Sequence, residues 1–258
     1  MQAMIFAAGL GTRLKPLTDT LPKALVPLAG KTLLQWQIEK LKDAGITDIV
    51  VNIHHFPDMI INYLREHDNF GCNIQVSDER EMLLETGGGL RKAKTLLSKI
   101  VNQKSENEEA ILVCNVDILS NINLPALIKT YNPEEMGTVV VSERNTQRYL
   151  LFDETNRLCG WTNIATGEVR GEEAIRQKAK GEDLKMLAFS GMQLLNPRIF
   201  ECLDELASQK GDKFSLIDLY IHIAEKEILR AFIPENYRMM DVGKIAQLSE
   251  AENFAASL

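Results

Sequence analysis

From Met4 to Glu143 the chain alternates apolar runs with stretches that turn apolar every three or four residues, and that alternation leaves few folds open. "AMIFAA" (Ala3 to Ala8) is the unbroken run of a strand buried on both faces. "KTLLQWQIEKLKDAG" then sets Leu34, Ile38 and Leu41 at helical spacing, with Thr32 as the N-cap and Gly45 just past the end. "DIVVNI" is the next strand, Asp58 to Glu66 the next helix and "NIQVS" a third strand. "GGGLRKAKTLL" opens another helix, "AILVCNVDIL" is a central strand with its tail, and "GTVVVSE" closes the series. Strand, helix and strand repeated in this way predict right-handed crossovers and a parallel sheet.

Past residue 147 the pattern changes. "RYLLFDETNRLCGWTN" predicts two short strands joined by a polar turn, and residues 163 to 184 are a polar excursion without a clear period. "KMLAFSGMQLLNP" is again strand-like. Ser215 and Asp218 make a capping box for the helix in "SLIDLYIHIAEK", and "YRMMDVG" is a last strand before a closing helix. Without a linker-like tract or an internal repeat, the expectation is one α/β domain over residues 1–258, a three-layer αβα Rossmann-like sheet, mostly parallel, with a small β-rich lid.

Composition narrows the partners. A formal charge of -7 argues against nucleic acid or anionic membrane as a general partner, so an anionic ligand must meet a local basic site. No apolar run approaches the roughly 18 residues of a spanning helix, and the start has no basic region ahead of its short apolar run, so a cytoplasmic protein is expected. Cys72, Cys114, Cys159 and Cys202 lie far apart and are expected as free thiols.

That local basic site stands directly after the first strand. "AAGLGTRLKPLTDTLPKALVPLAGK" holds Arg13, Lys15, Lys23 and Lys31 against the single acid Asp19. In open parallel sheets ligands sit beyond the carboxyl ends of the strands, and Gly9 and Gly11 let the backbone turn and approach an anion. "GLGTRL" matches only part of a dinucleotide fingerprint: Leu14 stands where the third glycine belongs, and no acid waits about 20 residues on. A nicotinamide-dependent oxidoreductase is therefore the weaker alternative, and no G-K-[ST] completes a P-loop. The cations favour the larger anion, since a dinucleotide pyrophosphate carries about two charges and a nucleoside triphosphate about four.

The run "MIFAAGLGTRLKPLTDTLPKALVPLAGKTLLQ" resembles the signature of the sugar-1-phosphate nucleotidyltransferases. The resemblance continues in order through "LLETGGGL", "CNVDIL", "FSGMQLLNP" and "DVG" and so covers nearly the whole chain. Within the family the E-T-G-G-G run is similar to the N-acetylmuramate 1-phosphate uridylyltransferase type, which lacks the C-terminal β-helix of bifunctional relatives; 258 residues leave no room for one. The resemblance implies the nucleotide-diphospho-sugar transferase fold, with a nucleotide-binding half over about 1–118 and a sugar-binding half, including the lid, over about 119–258. It implies transfer of a nucleotidyl group from a nucleoside triphosphate, foremost UTP, to a sugar 1-phosphate, for cell-wall or surface-polysaccharide precursors. Guanylyl, thymidylyl or cytidylyl transfer, or phosphocholine as acceptor, are the alternatives within the class.

Residue by residue, the resemblance implies that Arg13 grips the triphosphate and departing pyrophosphate and that Lys23 approaches the α-phosphate, both in catalytic roles. Ala8, Gly9, Gly11 and Thr12 complete the phosphate loop, and Glu85, Thr86, Gly87 and Gly88 hold base and ribose through backbone groups. Lys15 and Lys31 are expected as solvated side chains. Asp117 and Asp241 each end a strand, so a parallel sheet aims both at one edge; the resemblance makes them ligands of Mg²⁺, which takes one or two carboxylates plus phosphates and waters. Asn115 and Gly191 match sugar-contacting positions, and Asn163 is added more loosely. Two departures fall in the sugar pocket: "GWTN" (Gly160 to Asn163) stands where relatives carry an E-K-P-like motif, and Arg148 or Tyr149 replaces the usual glycine before the lid strand. His54 and His55 point to opposite faces and are not expected to share a metal.

Overall fold

The computed structural model describes residues 1–97, 110–179, 181 and 183–258. The first half follows the alternating pattern: β1 (Gln2–Phe6), the small hairpin β2 (Pro27–Leu28) and β3 (Lys31–Thr32), α1 (Leu33–Asp43), β4 (Asp48–Ile53), α2 (Pro57–Glu66), β5 (Asn73–Asp78), α3 (Glu85–Lys92), α4 (Lys94–Leu97), β6 (Ile111–Asn115) and β7 (Ile118–Ser120). The second half holds α5 (Leu124–Ile128), β8 (Gly137–Ser142), β9 (Arg148–Phe152), β10 (Leu158–Asn163), β11 (Glu168–Arg170), α6 (Glu172–Ala179), β12 (Lys185–Leu195), α7 (Ile199–Lys210), α8 (Leu216–Ala224), β13 (Leu229–Phe232), β14 (Met239–Asp241) and α9 (Leu248–Ala255).

Local signals act where the sequence places them. The Thr32 hydroxyl accepts from the Gln35 amide and starts α1, and Gly45, at φ +79°, ends it in the left-handed region. Ser215 and Asp218 form the reciprocal capping box of α8. In the polar excursion, β11 pairs with β10 and α6 packs on β10 through the fully buried Ala174; residues 180 and 182 of that charged segment lie outside the described set.

The main sheet runs β11-β10-β9-β12-β6-β1-β4-β5, with β8 on the other edge of β12 and β13 beyond it. β5, β4, β1 and β6 are parallel; β12 enters antiparallel to β6. The β-rich excursion is therefore not a detached lid: β9 pairs with the first half of β12 and extends the same sheet. Successive residues of β1 divide between the two faces. Ala3 and Ile5 pack under α1, α2 and α9, while Met4 and Phe6 pack under α3, α7 and α8, which makes three layers. The chain goes from β1 outward through β4 and β5, then returns to β6 on the opposite side of β1, so the loop after β1 leaves the sheet at its topological switch point. Among the described residues no helix is long and apolar enough to cross a membrane.

One polar contact set in this apolar frame controls where the loops leave the sheet. Asn52, the buried polar residue in "DIVVNI", accepts from the Ala7 amide at 2.8 Å and donates to Glu79 Oε1 at 2.7 Å. Glu79 is fully buried, and its other oxygen accepts from the Leu84 amide at 3.1 Å. Burial pushes its carboxyl above the usual range, against the pull of these hydrogen bonds. The phosphate-loop candidate and the segment leading into α3 are thus tied to one carboxylate. Glu79→Ala leaves two buried donors without acceptors and opens a void, so a loss of about 3 kcal/mol is expected, read from urea unfolding at unchanged m-value.

Candidate functional site

Leaving β1, Ala7 and Ala8 remain buried while Gly9 and Leu10 emerge into solvent. Gly11 turns left-handed at φ +65°, and a Cβ there would lie 2.7 Å from Thr18 Cγ2, so both conformation and space call for glycine. Gly9 has open space around it; no contact of the fold itself demands a glycine there. The turn Thr12–Leu14 follows, with Leu14 fully buried as its anchor, which leaves Thr12 and Arg13 exposed.

Arg13 points across to the C-terminal part of the chain. A Cβ built on Gly243 would lie 2.7 Å from Arg13 Nη2 and 2.7 Å from Asp241 Oδ1, so guanidinium and carboxylate flank the same point. Asp241 ends β14, whose pairing with β7 sets it opposite Ile118, and the next amide, of Val242, donates to the Asp117 carbonyl at 2.8 Å. The two aspartates predicted to converge are therefore neighbours across one strand pair. Asp241 is exposed as a residue, yet its carboxyl stands in a crowded wall: burial first, then the Asp117 charge, push it above its ordinary value, against Lys23, Arg13 and Arg144. Lys23, nine-tenths buried in its turn, makes an ion pair with Asp117.

The other two cations of the opening stretch, expected as solvated side chains, are instead paired with carboxylates. Lys15 pairs with Asp19 at 3.0 Å, and Lys31 pairs with Glu39 at 2.6 Å while lying over the Trp36 ring. Among the described residues no group of three or more His, Cys, Asp or Glu side chains is arranged to hold a metal. The Asp117–Asp241 pair fits a hard divalent cation of the kind that completes its shell with phosphate oxygens and waters, and such an ion would relieve the like-charge crowding on Asp241.

Asn115 and Gly191 also come together. Gly191, at φ +72°, stands so close to β6 that a Cβ would lie 2.6 Å from Ile118 Cγ1 and 3.2 Å from Asn115 Nδ2. Asn163 is placed differently: β9 separates its strand from β12, and its side-chain oxygen accepts from the Ala165 amide at 3.1 Å in its own turn. The expectation for the glycine run needs correcting in its physical basis. The Gly87 and Gly88 amides both donate to the Phe214 carbonyl, at 2.9 and 3.1 Å, so these donors are not open to a base or ribose. A Cβ on Gly88 would lie 2.1 Å from the Asp212 carbonyl; these glycines let α3 press against the 212–214 turn. Thr86 Oγ1 accepts from the Leu216 amide at 2.9 Å, leaving the exposed Glu85 as the side chain of this segment that faces solvent. His54 and His55 each meet a backbone carbonyl, of Glu79 and Thr18.

Three residues of the site carried no motif signal. Asn52 was visible only as a polar residue in an apolar strand, and Glu79 only as an acid beside one. Arg144, just after β8, enters because β8 lies along β12 in the folded sheet.

A family model described as nucleotidyl transferase matches residues 2–257. An N-acetylmuramate alpha-1-phosphate uridylyltransferase of Caulobacter vibrioides is 31% identical over 245 residues, covering 92% of this chain and 90% of that protein. A protein of the same name from Neisseria meningitidis serogroup B is 41% identical over 206 residues, covering 79% of each. A solved UDP-glucose pyrophosphorylase, in complex with UDP-glucose, shares the fold with TM-score 0.73 at 19% identity, covering 100% of this chain and 99% of its own. A methyl at position 243 must displace Arg13 or Asp241; Gly243→Ala is expected to weaken binding of inorganic triphosphate about tenfold, the worth of one charge-assisted hydrogen bond. Calorimetric titration reads that loss, and an unchanged unfolding midpoint shows that the fold is intact.

Proposed function

Because the chain belongs to the nucleotidyl transferase family and is a sugar-1-phosphate nucleotidyltransferase, we propose that it transfers uridylyl from UTP to a sugar 1-phosphate of the N-acetylmuramate kind, giving a UDP-sugar and pyrophosphate. The observation that carries this reading is the meeting of Arg13 and Asp241 at Gly243, beside the Asp117–Lys23 pair and at the switch point of the sheet. The uridylyl assignment is supported by the relatives in Caulobacter vibrioides and Neisseria meningitidis, of which the chain covers 90% and 79%. The nucleotide lies over the first half of the chain, about residues 1–118, and the sugar over the second.

A phosphate oxygen of the sugar 1-phosphate attacks the α-phosphorus of UTP; the new P–O bond forms as the bond to the β-phosphate oxygen breaks and pyrophosphate leaves. The attacking oxygen is already anionic, so no side chain has to remove a proton, and catalysis is positioning and charge neutralisation. Arg13, exposed on its turn and unpaired with any carboxylate at ion-pair distance among the described residues, takes the β- and γ-phosphates, where negative charge accumulates on the leaving group. Lys23, held low in the cleft by its buried turn, neutralises charge at the α-phosphate. The backbone from Ala8 to Thr12 lies along the triphosphate, and the bare Gly9 lets it come close. Enzymes of this family generally use a divalent metal; Asp117 and Asp241 would hold Mg²⁺, which supplies further neutralisation of the phosphates. Asn115 and Gly191 face the sugar, and Glu85 with Thr86 borders the base.

A panel of UTP, GTP, dTTP and CTP crossed with N-acetylmuramate 1-phosphate and other sugar 1-phosphates, read by product mass, tests the reading. UDP-N-acetylmuramate is the expected main product; a different base or sugar overturns the specificity, and no NDP-sugar from any pair overturns the activity. Asp117→Ala is expected to abolish turnover, because it removes one of two protein carboxylates from the ion. Arg13→Ala and Lys23→Ala are each expected to lower kcat/KM by at least ~10²-fold; losses below tenfold in both remove them from the phosphate site.

A further inference from the structure

Two phosphate-bearing substrates must meet at one phosphorus, and the cations discussed so far all come from one side of the cleft. Arg13 and Lys23 belong to the loop after β1, and Lys23 forms an ion pair with Asp117. A second set of polar groups is carried by the paired strands β8 and β12. There Ser190 Oγ donates to Ser142 Oγ at 3.3 Å, a pair of small polar groups next to Gly191 in the sheet.

Arg144 stands two residues past Ser142. Its Nη2 donates to the Phe189 carbonyl at 2.9 Å, which anchors one edge of the guanidinium two residues from Gly191. Because β12 is antiparallel to both β6 and β8, these two strands run the same way, and Arg144, just past the end of β8, stands at the same carboxyl edge of the sheet as Asn115. The side chain is exposed, and among the described residues no carboxylate pairs with it at ion-pair distance. An anchored, otherwise unneutralised guanidinium keeps a planar fork for an anion, which suits a phosphate oxygen pair.

We propose that Arg144 binds the phosphate group of the sugar 1-phosphate and so brings the attacking oxygen to the α-phosphorus. The inference rests on the nucleotidyl-transfer reading above and adds a residue that selects the second substrate by its phosphate. The two cationic sides then serve different substrates, the loop after β1 receiving the triphosphate and the β8–β12 side receiving the acceptor.

The test is steady-state kinetics with Mg²⁺ for the full chain, Arg144→Ala and Arg144→Lys, together with calorimetric binding of N-acetylmuramate 1-phosphate and of N-acetylmuramate lacking the phosphate. Arg144→Ala is expected to raise KM and Kd for the sugar 1-phosphate at least ~10-fold while the KM for UTP stays within about twofold, since one charge-assisted contact is lost from one substrate. Arg144→Lys, which keeps the charge without the fork, should recover part of the loss, and binding of the phosphate-free sugar should be the same in all three proteins. An unchanged Kd for the sugar 1-phosphate, an equal rise in both KM values, or an equal loss for the phosphate-free sugar overturns the assignment. If the unaltered chain binds the sugar 1-phosphate through Arg144 but forms no NDP-sugar with any triphosphate, the transfer reading fails while this binding site stands.

Discussion

The pairing of β14 with β7 forces two carboxylates into each other's field. Met239 to Asp241 run antiparallel to Ile118 to Ser120, so Asp241 cannot leave Asp117 without breaking the strand pair. Like charges held this close raise the free energy of the ionised state; burial first and then the Asp117 charge push the Asp241 carboxyl above its ordinary value. The surrounding structure offsets the repulsion from two directions. Lys23 reaches Asp117 from a buried turn, and Arg13 comes to Asp241 from the exposed side. An ion pair as enclosed as Lys23–Asp117 carries a desolvation cost that its attraction only partly returns, so it is poor evidence of stabilisation and better evidence of a site built for charge.

That arrangement depends on loops leaving the sheet at fixed angles. Asn52 and Glu79 supply the fixing, because one buried carboxylate takes donors from Asn52 and Leu84 while Asn52 takes the Ala7 amide. The phosphate loop and the approach to α3 are then positioned relative to one another through two side chains rather than through backbone pairing. α3 itself is pressed onto the 212–214 turn by the missing side chains of Gly87 and Gly88. A run of three glycines ahead of a helix resembles a ligand cradle in sequence; here two of its amides serve packing, while Gly9 in the loop after β1 has open space around it.

The three-layer sheet was legible because burial on both faces leaves an unbroken apolar run in β1 and a clear 3.6-residue period in α1. The caps of α1 and α8 were legible because capping is a local hydrogen bond between residues three apart. The connection of β9, β10 and β11 to the main sheet was not, since the pairing of β9 with β12 joins residues more than thirty apart and leaves no local pattern. The same limit hid Arg144: nothing in "SERN" distinguishes it from a solvated arginine until β8 lies along β12.

By itself the sequence determined the order of strands and helices, the loop of glycines and cations after β1, and the identity of the two aspartates, because each of these is written in neighbouring residues or in a motif. Tertiary structure alone decided that Lys23 would face Asp117, that Arg13 would cross to Asp241, that Asn163 would turn into its own loop and that the Gly87 and Gly88 amides would be used in packing. The division has a physical cause. Periodicity and capping act over a few residues, whereas a charge is neutralised, or a donor satisfied, by whatever the fold brings within about 3 Å of it, from any distance along the chain.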